Sequence, residues 1–319
     1  MTEHVDGPAS EHVIDPRKIH HRWQKGLEPA LVIRSGDVVH YDLLAAGNGQ
    51  VAEGARIEDV TFDFETIYNL SGPLFVEGAA PGDTLEIQIV KLIPGDWGWT
   101  AVLPDLGLLP DDFPEPYLRT FDLRSGGRAT LAPGVEIPFS PFLGTMGNHP
   151  GEPDGELPFP PHRGGGNMDT RHLREGTTLW LPVWCDGALF SCGDPHAAQG
   201  DGEVCVSALE CPMHASLRFH LRKRSILAPH FRTPGPLTSP TDTAGHHATM
   251  GISPDLMEGA RTAVRAMIAW IVEEHGLTRE DAYVLCSLAG DLKILEIVDA
   301  GVWNVGMTMP LGVFTGRTT

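Results

Sequence analysis

The chain has 319 residues, 41% hydrophobic and 20% charged. That is enough to bury a core, and no apolar run of about twenty residues is present to span a bilayer. Lysine and arginine number 23 against 42 aspartates and glutamates, a formal charge of −19. This argues against nucleic acid and anionic membranes as partners; it reads first as solubility, and is compatible with a neutral or cationic small substrate or with carboxylate-bound metal.

The five cysteines (Cys185, Cys192, Cys205, Cys211 and Cys286) form no CxxC pair and are odd in number. A disulfide framework is not expected, and a reducing cytoplasm is. The opening "MTEHVDGPASEHVIDPRK" is polar and lacks the apolar core of a signal peptide. Residues 1–18 therefore read as a polar N-terminal tail, and residues 19–319 as one unit.

Strand signals dominate the first two thirds. "ALVIRSGDVVHYDLL" is two strand-like runs about Ser35-Gly36-Asp37. "PGDTLEIQIVKLI" alternates Leu85, Ile87 and Ile89 against Thr84, Glu86 and Gln88 after a Pro81-Gly82-Asp83 turn. Residues 94–116 and 133–166 read as irregular loops covering a site. In "TTLWLPVWCDGALFSCG" the pair Asp186-Gly187 between two apolar runs predicts a hairpin with a type I′ turn. "EVCVSALE" and "ASLRFHLRKR" read as two further strands.

Helix appears late. Ser253 as cap, Pro254 at the first helical position and Gly276 as stop bound "SPDLMEGARTAVRAMIAWIVEEHG". Its stripe of Leu256, Ala260, Ala263, Val264, Met267, Ile268 and Ile271 predicts packing on a sheet or a helix. Thr278 with Asp281 opens a second helix that ends at Gly290, and "DLKILEIVD" returns as a strand. The expected fold is α+β and β-rich, sandwich- or barrel-like, with a C-terminal pair of helices packed on the sheet.

The stretch "SCGDPHAAQGDGEVC" (191–205) carries Asp194, His196, Gln199, Asp201 and Glu203 among glycines. With a turn at Asp186-Gly187, simple antiparallel register sets Asp194 opposite Leu179 and His196 opposite Thr177. "GGGNMDTRHLREG", with Asp169, would then enter at the end where the acidic stretch leaves. One imidazole with several carboxylates is a ligand set for a hydrolytic divalent ion, and a remaining carboxylate could serve as general base. The same residues are also what an ordinary turn uses.

"GGNMD" (165–169) followed by "GALFSCGDPHAAQGDGEVCVSALE" (187–210) closely resembles the acetamidase/formamidase family. Weaker support comes from "HHRWQKGLEPALVIRSGDVV" (20–39), "LSGPLFVEGAAPGDTLEIQI" (70–89), "FLGTMGNHP" (142–150) and "EDAYVLCSLAGDLKILEIVD" (280–299). The resemblance implies a β-rich α+β fold and a homo-oligomer. It also implies hydrolysis of a small aliphatic amide such as formamide or acetamide to ammonia and the acid, with a divalent metal. Zinc is the usual expectation for that metal, calcium and magnesium the alternatives.

Carried over residue by residue, the ligands are Asp169, Asp194 and His196. Glu203 is general base or a further ligand, Gln199 orients the amide, and Asp201 is a further catalytic carboxylate. His20 and Glu77, in weaker segments, and His149 are candidates for the substrate pocket. The departure at Asn148-His149 leaves substrate size open. Alternatives are a divergent or non-catalytic member binding a metal or small polar ligand, a hydrolase of a larger amide, and a thiol mechanism at Cys192. Trp97 and Trp99 read either as pocket wall or as core, and His246-His247 as a surface loop.

Overall fold

The computed structural model describes residues 9–237, 241–298 and 301–316. One sheet runs in the order β1 (Glu11–Val13), β4 (Val38–Leu43), β16 (Met213–Arg222), β6 (Thr84–Pro94), β14 (Thr178–Pro182), β17 (His230–Arg232). A second runs β12 (Pro161–His162), β13 (Gly165–Asn167), β11 (Phe142–Gly147), β15 (Phe190–His196), β5 (Leu70–Val76), β2 (Ile19–His20), with β3 (Leu31–Ile33) parallel to β5. The sheets share one apolar core. Leu85, Ile87 and Ile89 of β6 are buried in it as their alternation requires, and Phe190 of β15 meets Phe219 of β16 edge-on at 5.1 Å.

The ribbon pairs β7 (Trp97–Val102) with β8 (Tyr117–Asp122) and β9 (Arg128–Ala132) with β10 (Val135–Pro138) flank these sheets. A three-stranded sheet, β18 (His246–Ser253), β20 (Trp303–Pro310) and β19 (Asp291–Glu296), closes the chain with α1 (Leu256–His275) and α2 (Arg279–Ala289). The buried side of α1 carries Ala260, Ala263, Val264, Met267, Ile268 and Ile271, as its periodicity predicts. Gly276 ends α1 in the left-handed region, and Thr278 caps α2 by accepting from the Asp281 amide. The β-rich α+β expectation with two late helices is met.

Several local expectations are corrected. The expected hairpin at Asp186-Gly187 is absent: β14 pairs with β6 and β17 in one sheet, and β15 with β11 and β5 in the other. Leu179 faces Ile87 and Phe231 rather than Asp194. The segment is a crossover between the two sheets, where Gly187 donates to Ala79 and a Cβ on it would lie 2.2 Å from the Phe75 ring. Two apolar runs about Asp-Gly look alike whether they pair with each other or each enters a different sheet.

Residues 203–210 form no strand; they are held by bridges of Glu210 to Trp99 and to His196. The two expected irregular segments contain β7 and β11. The helix cap is Asp255 rather than Ser253, because β18 runs through Ser253 before the helix begins. His246 and His247 lie in that strand, with His247 stacked on Trp270. Within the expected tail, β1 pairs in parallel with β4 and Ile14 is buried. Residues 1–8 and Asp299, also covered by those expectations, lie outside the described residues.

Candidate active site

β15 carries Asp194 and His196 two residues apart, on one face of the strand. Its register against β11 pairs Leu143 with Pro195 and Thr145 with Gly193, which leaves Gly144 across from Asp194. The Gly144 carbonyl also accepts from the amides of Met168 and Asp169, so the "GGNMD" segment is folded onto the same point. A methyl group placed on Gly144 would lie 2.6 Å from Asp169 Oδ1, 2.6 Å from Asp194 Oδ2 and 2.8 Å from His196 Cε1. Glycine is needed here because three polar side chains converge on the space beside its backbone.

Glu203 and Glu210 complete the cluster. Asp169, His196 and Glu203, and likewise Asp194, His196 and Glu210, present one ligand atom each within 4.8 Å of one another. His196 Nε2 lies 3.3 Å from Asp194 Oδ1 and 3.2 Å from Glu210 Oε2. These are charge contacts without hydrogen-bond geometry: both ring nitrogens of His196, Asp169 Oδ1 and Glu210 Oε2 are buried and lack a hydrogen-bond partner. Orphaned buried acceptors of this kind are costly unless a cation or proton joins them. Asp169, Asp194 and Glu203 also hold positive φ, at 43°, 56° and 43°. Three strained non-glycine residues in one cluster mark a place where side-chain direction outweighs backbone preference.

The electrostatics follow from burial and like charge. Burial, with Asp194 and then Glu210 adding to it, raises the Asp169 carboxyl to about 7. Burial and the Asp169 carboxylate push Glu203 well above the ordinary carboxyl range, and burial raises Glu210. Burial disfavours the charged imidazole of His196, but Glu210 and Asp194 outweigh it and hold its affinity for a proton far above normal. The set has one imidazole and four carboxyls, so it suits a divalent cation in place of the shared protons.

Comparison with known proteins gives this arrangement a family. Residues 8–156 and 153–316 match the Acetamidase/Formamidase family. The chain belongs to the acetamidase/formamidase family. It is 24% identical to an acetamidase of Mycolicibacterium smegmatis, over 83% of this chain and 84% of that protein. It is 26% identical to a formamidase of Methylophilus methylotrophus, over 69% of each. Among solved structures, an acetamidase of Bacillus halodurans is 28% identical with a TM-score of 0.66, over 96% of this chain and 100% of that one. A gamma lactamase from Delftia acidovorans, 23% identical, shares the fold at a TM-score of 0.88 over 97% and 94%. As a member of the acetamidase/formamidase family, the chain is an amide hydrolase acting on a carbon–nitrogen bond.

Of the residues singled out in the sequence, Asp169, Asp194, His196 and Glu203 meet at the cluster. Gln199 donates from Nε2 to the Asp169 carbonyl at 2.8 Å, which anchors the Asp169 loop, and its Oε1 is buried without a hydrogen-bond partner. Asp201 points elsewhere, 3.3 Å from Arg171 and 3.6 Å from His172, while its amide donates to Asp291. It belongs to a clamp that ties the acidic loop to β19.

The three pocket candidates also stand outside the cluster. His20 bridges the Arg22 carbonyl and Ser191 Oγ, each at 2.8 Å. Glu77 is half-exposed and paired with Arg34. His149 is paired with Asp154 at 3.1 Å and accepts from the Gly151 amide. Asn148 donates to the Pro182 carbonyl, so the departure at 148–149 touches loop anchoring.

Two groups escaped the sequence reading. Glu210 sits in "VCVSALE", whose apolar alternation imitates a strand. Tyr68 lines both cavities that open beside Glu203. Burial, with the surrounding carboxylates adding to it, raises its phenol well above normal, and its oxygen accepts from Asn167 Nδ2 at 3.3 Å. Nothing in "ETIYNL" marks it. Cys192, by contrast, is fully buried beside Tyr41, and burial raises its thiol far out of nucleophilic range.

Proposed function

We propose that the chain hydrolyses carboxamides at this cluster with the help of one divalent ion held by Asp169, Asp194 and His196, zinc before calcium or magnesium. The observation that carries the reading is the group of unpartnered oxygens and imidazole nitrogens gathered beside Gly144. An imidazole among carboxylates favours Zn²⁺, whereas an all-oxygen set would suit Ca²⁺ or Mg²⁺. When bound, such an ion polarises the amide carbonyl and eases deprotonation of water.

The remaining chemistry belongs to the chain. Glu203 Oε takes a proton from the attacking water and returns it to the leaving nitrogen, a role suited to a carboxyl whose proton affinity burial has raised. Water adds its oxygen to the carbonyl carbon, the carbon–nitrogen bond breaks, and the products are the acid and ammonia. Glu210 lies against the same His196 Nε2 and would be a further ligand of the ion, and Gln199 fixes the loop that carries Asp169. Tyr68 lines the cavity beside Glu203 and keeps its hydroxyl proton free to donate, because the bond from Asn167 uses its oxygen only as acceptor.

All five cysteines are free, which supports a reducing compartment such as the cytoplasm. No helix among the described residues is long and apolar enough to cross a membrane.

Ammonia release from a panel of primary amides, with metal analysis of the same preparation, tests the reading. Hydrolysis by zinc-replete protein supports it. Silence toward every amide, or undiminished rates after metal removal, overturns it.

A further inference from the structure

Beside the acidic cluster lies a cavity of about 370 Å³. Asp194, Glu203 and Glu210 form its polar end. Apart from Tyr68 and Ser207 the rest is apolar, walled by Phe64, Ile67, Trp99, Leu103, Leu106 and Val206. That size lies within the range of sites that hold drug-sized ligands, more room than the four heavy atoms of acetamide require. Cavities of this size and lining suit a larger apolar ligand whose polar group is fixed at one end.

Two further observations assign the space to a ligand. Val206 holds φ +83°, a conformation that a β-branched residue adopts only under constraint, and its half-exposed side chain lines this cavity and the one adjoining it. The wall is also aromatic in series. Phe64 meets Phe159 at 6.1 Å and Phe159 meets Tyr68 edge-on at 5.1 Å, while Trp99 is backed from outside the lining by Phe62 at 5.9 Å. Ring faces and edges so disposed receive another ring in tilted or edge-on contact. Gly47 packs beside the Trp99 indole with φ +90°, a backbone conformation that favours glycine.

We propose that the acyl group of the substrate carries an aryl ring, seated between Phe64 and Trp99 with the carboxamide at Glu203, and that formamide and acetamide are poor substrates. This rests on amide hydrolysis at the cluster. The reaction is unchanged in its balance: an aryl carboxamide and water give the aryl carboxylic acid and ammonia.

The test compares kcat/KM of the full-length, zinc-replete protein for benzamide, acetamide and formamide. A preference for benzamide of about tenfold or more is expected, the scale at which a few buried carbons discriminate. Equal or better turnover of acetamide overturns the aryl assignment and leaves amide hydrolysis standing; no turnover of any of the three overturns both. Phe64→Ala, at an exposed position, and Ala46→Phe, which fills the cavity from its wall, should each lower the benzamide-to-acetamide ratio about tenfold. An unchanged ratio in both variants overturns the assignment.

Discussion

His196 Nε2 lies 3.2 Å from Glu210 Oε2, yet the two make no hydrogen bond, and both atoms are buried without another partner. Contact without alignment is what a cation between them would relieve. Dialysis against a chelator should therefore abolish amide hydrolysis, and zinc add-back should restore it. Thermal melting gives a second readout: the added ion should raise Tm, because it binds the folded cluster and not the unfolded chain. Equal melting temperatures with and without zinc would contradict the assignment.

Glu203 is the proposed proton carrier. Glu203→Gln should lower kcat by about 10²–10⁴-fold, the usual worth of a positioned acid–base group. Tm should hold or rise, since a neutral amide replaces a buried carboxyl among like charges. A variant with near-normal kcat removes Glu203 from the chemistry.

Gly144 makes a sharper steric test. Its φ is not in the left-handed region, so alanine is conformationally acceptable there, but the added methyl would stand 2.6 Å from two carboxylate oxygens. Gly144→Ala should keep the circular dichroism of the wild type and lose most of its zinc affinity, measured by calorimetric titration. Wild-type affinity would show that the convergence beside Gly144 is not the ion's seat.

The pH dependence of stability has opposing parts. Asp169 rises from 3.8 to about 7 on folding through burial and its acidic neighbours. Its contribution is complete below about pH 4 and is lost as pH rises to about 7. His20 and His162, lowered by burial to about 4, behave oppositely, their contribution being lost as pH falls from about 6.5. The difference between wild type and Asp169→Asn isolates the carboxyl: in metal-free protein, Tm of the variant relative to wild type should climb between pH 4 and pH 7. A flat difference across that interval would sink the assignment.

A thiol route makes the contrary demand at Cys192. Its sulfur is buried in the sheet core and its thiol stays protonated. Cys192→Ser should retain kcat within a few-fold; complete loss with an unchanged circular dichroism spectrum would reinstate the thiol.

How far the sequence was legible depends on the range of each interaction. The late helices read well, because Thr278, Asp281, Gly276 and the apolar stripe of α1 act within a few residues of one another. Asp169, Asp194, His196 and Glu203 were legible as a group through the motif they share. The route that joined them was misread. The Asp186-Gly187 turn promised a hairpin, whereas Asp169 reaches the cluster through the Gly144 carbonyl, a contact between segments that no local pattern marks. Glu210 was hidden for a related reason. Its direction is set by backbone bonds to Trp99, more than a hundred residues earlier, and its neighbours repeat the alternation of a strand.

The clamp behind the acidic loop couples the site to the late helical unit. Gly200 packs so tightly on Gly290 that a Cβ would fall 1.7 Å from its carbonyl oxygen; Asp201 accepts from the Leu292 amide, and Arg171 joins Asp201 to Asp291. The loop that carries Glu203 is thus moulded against the turn from α2 into β19. The acidic segment and the late helical unit share one template, so damage at the Gly200–Gly290 seam would reach Glu203 without altering any residue of the cluster.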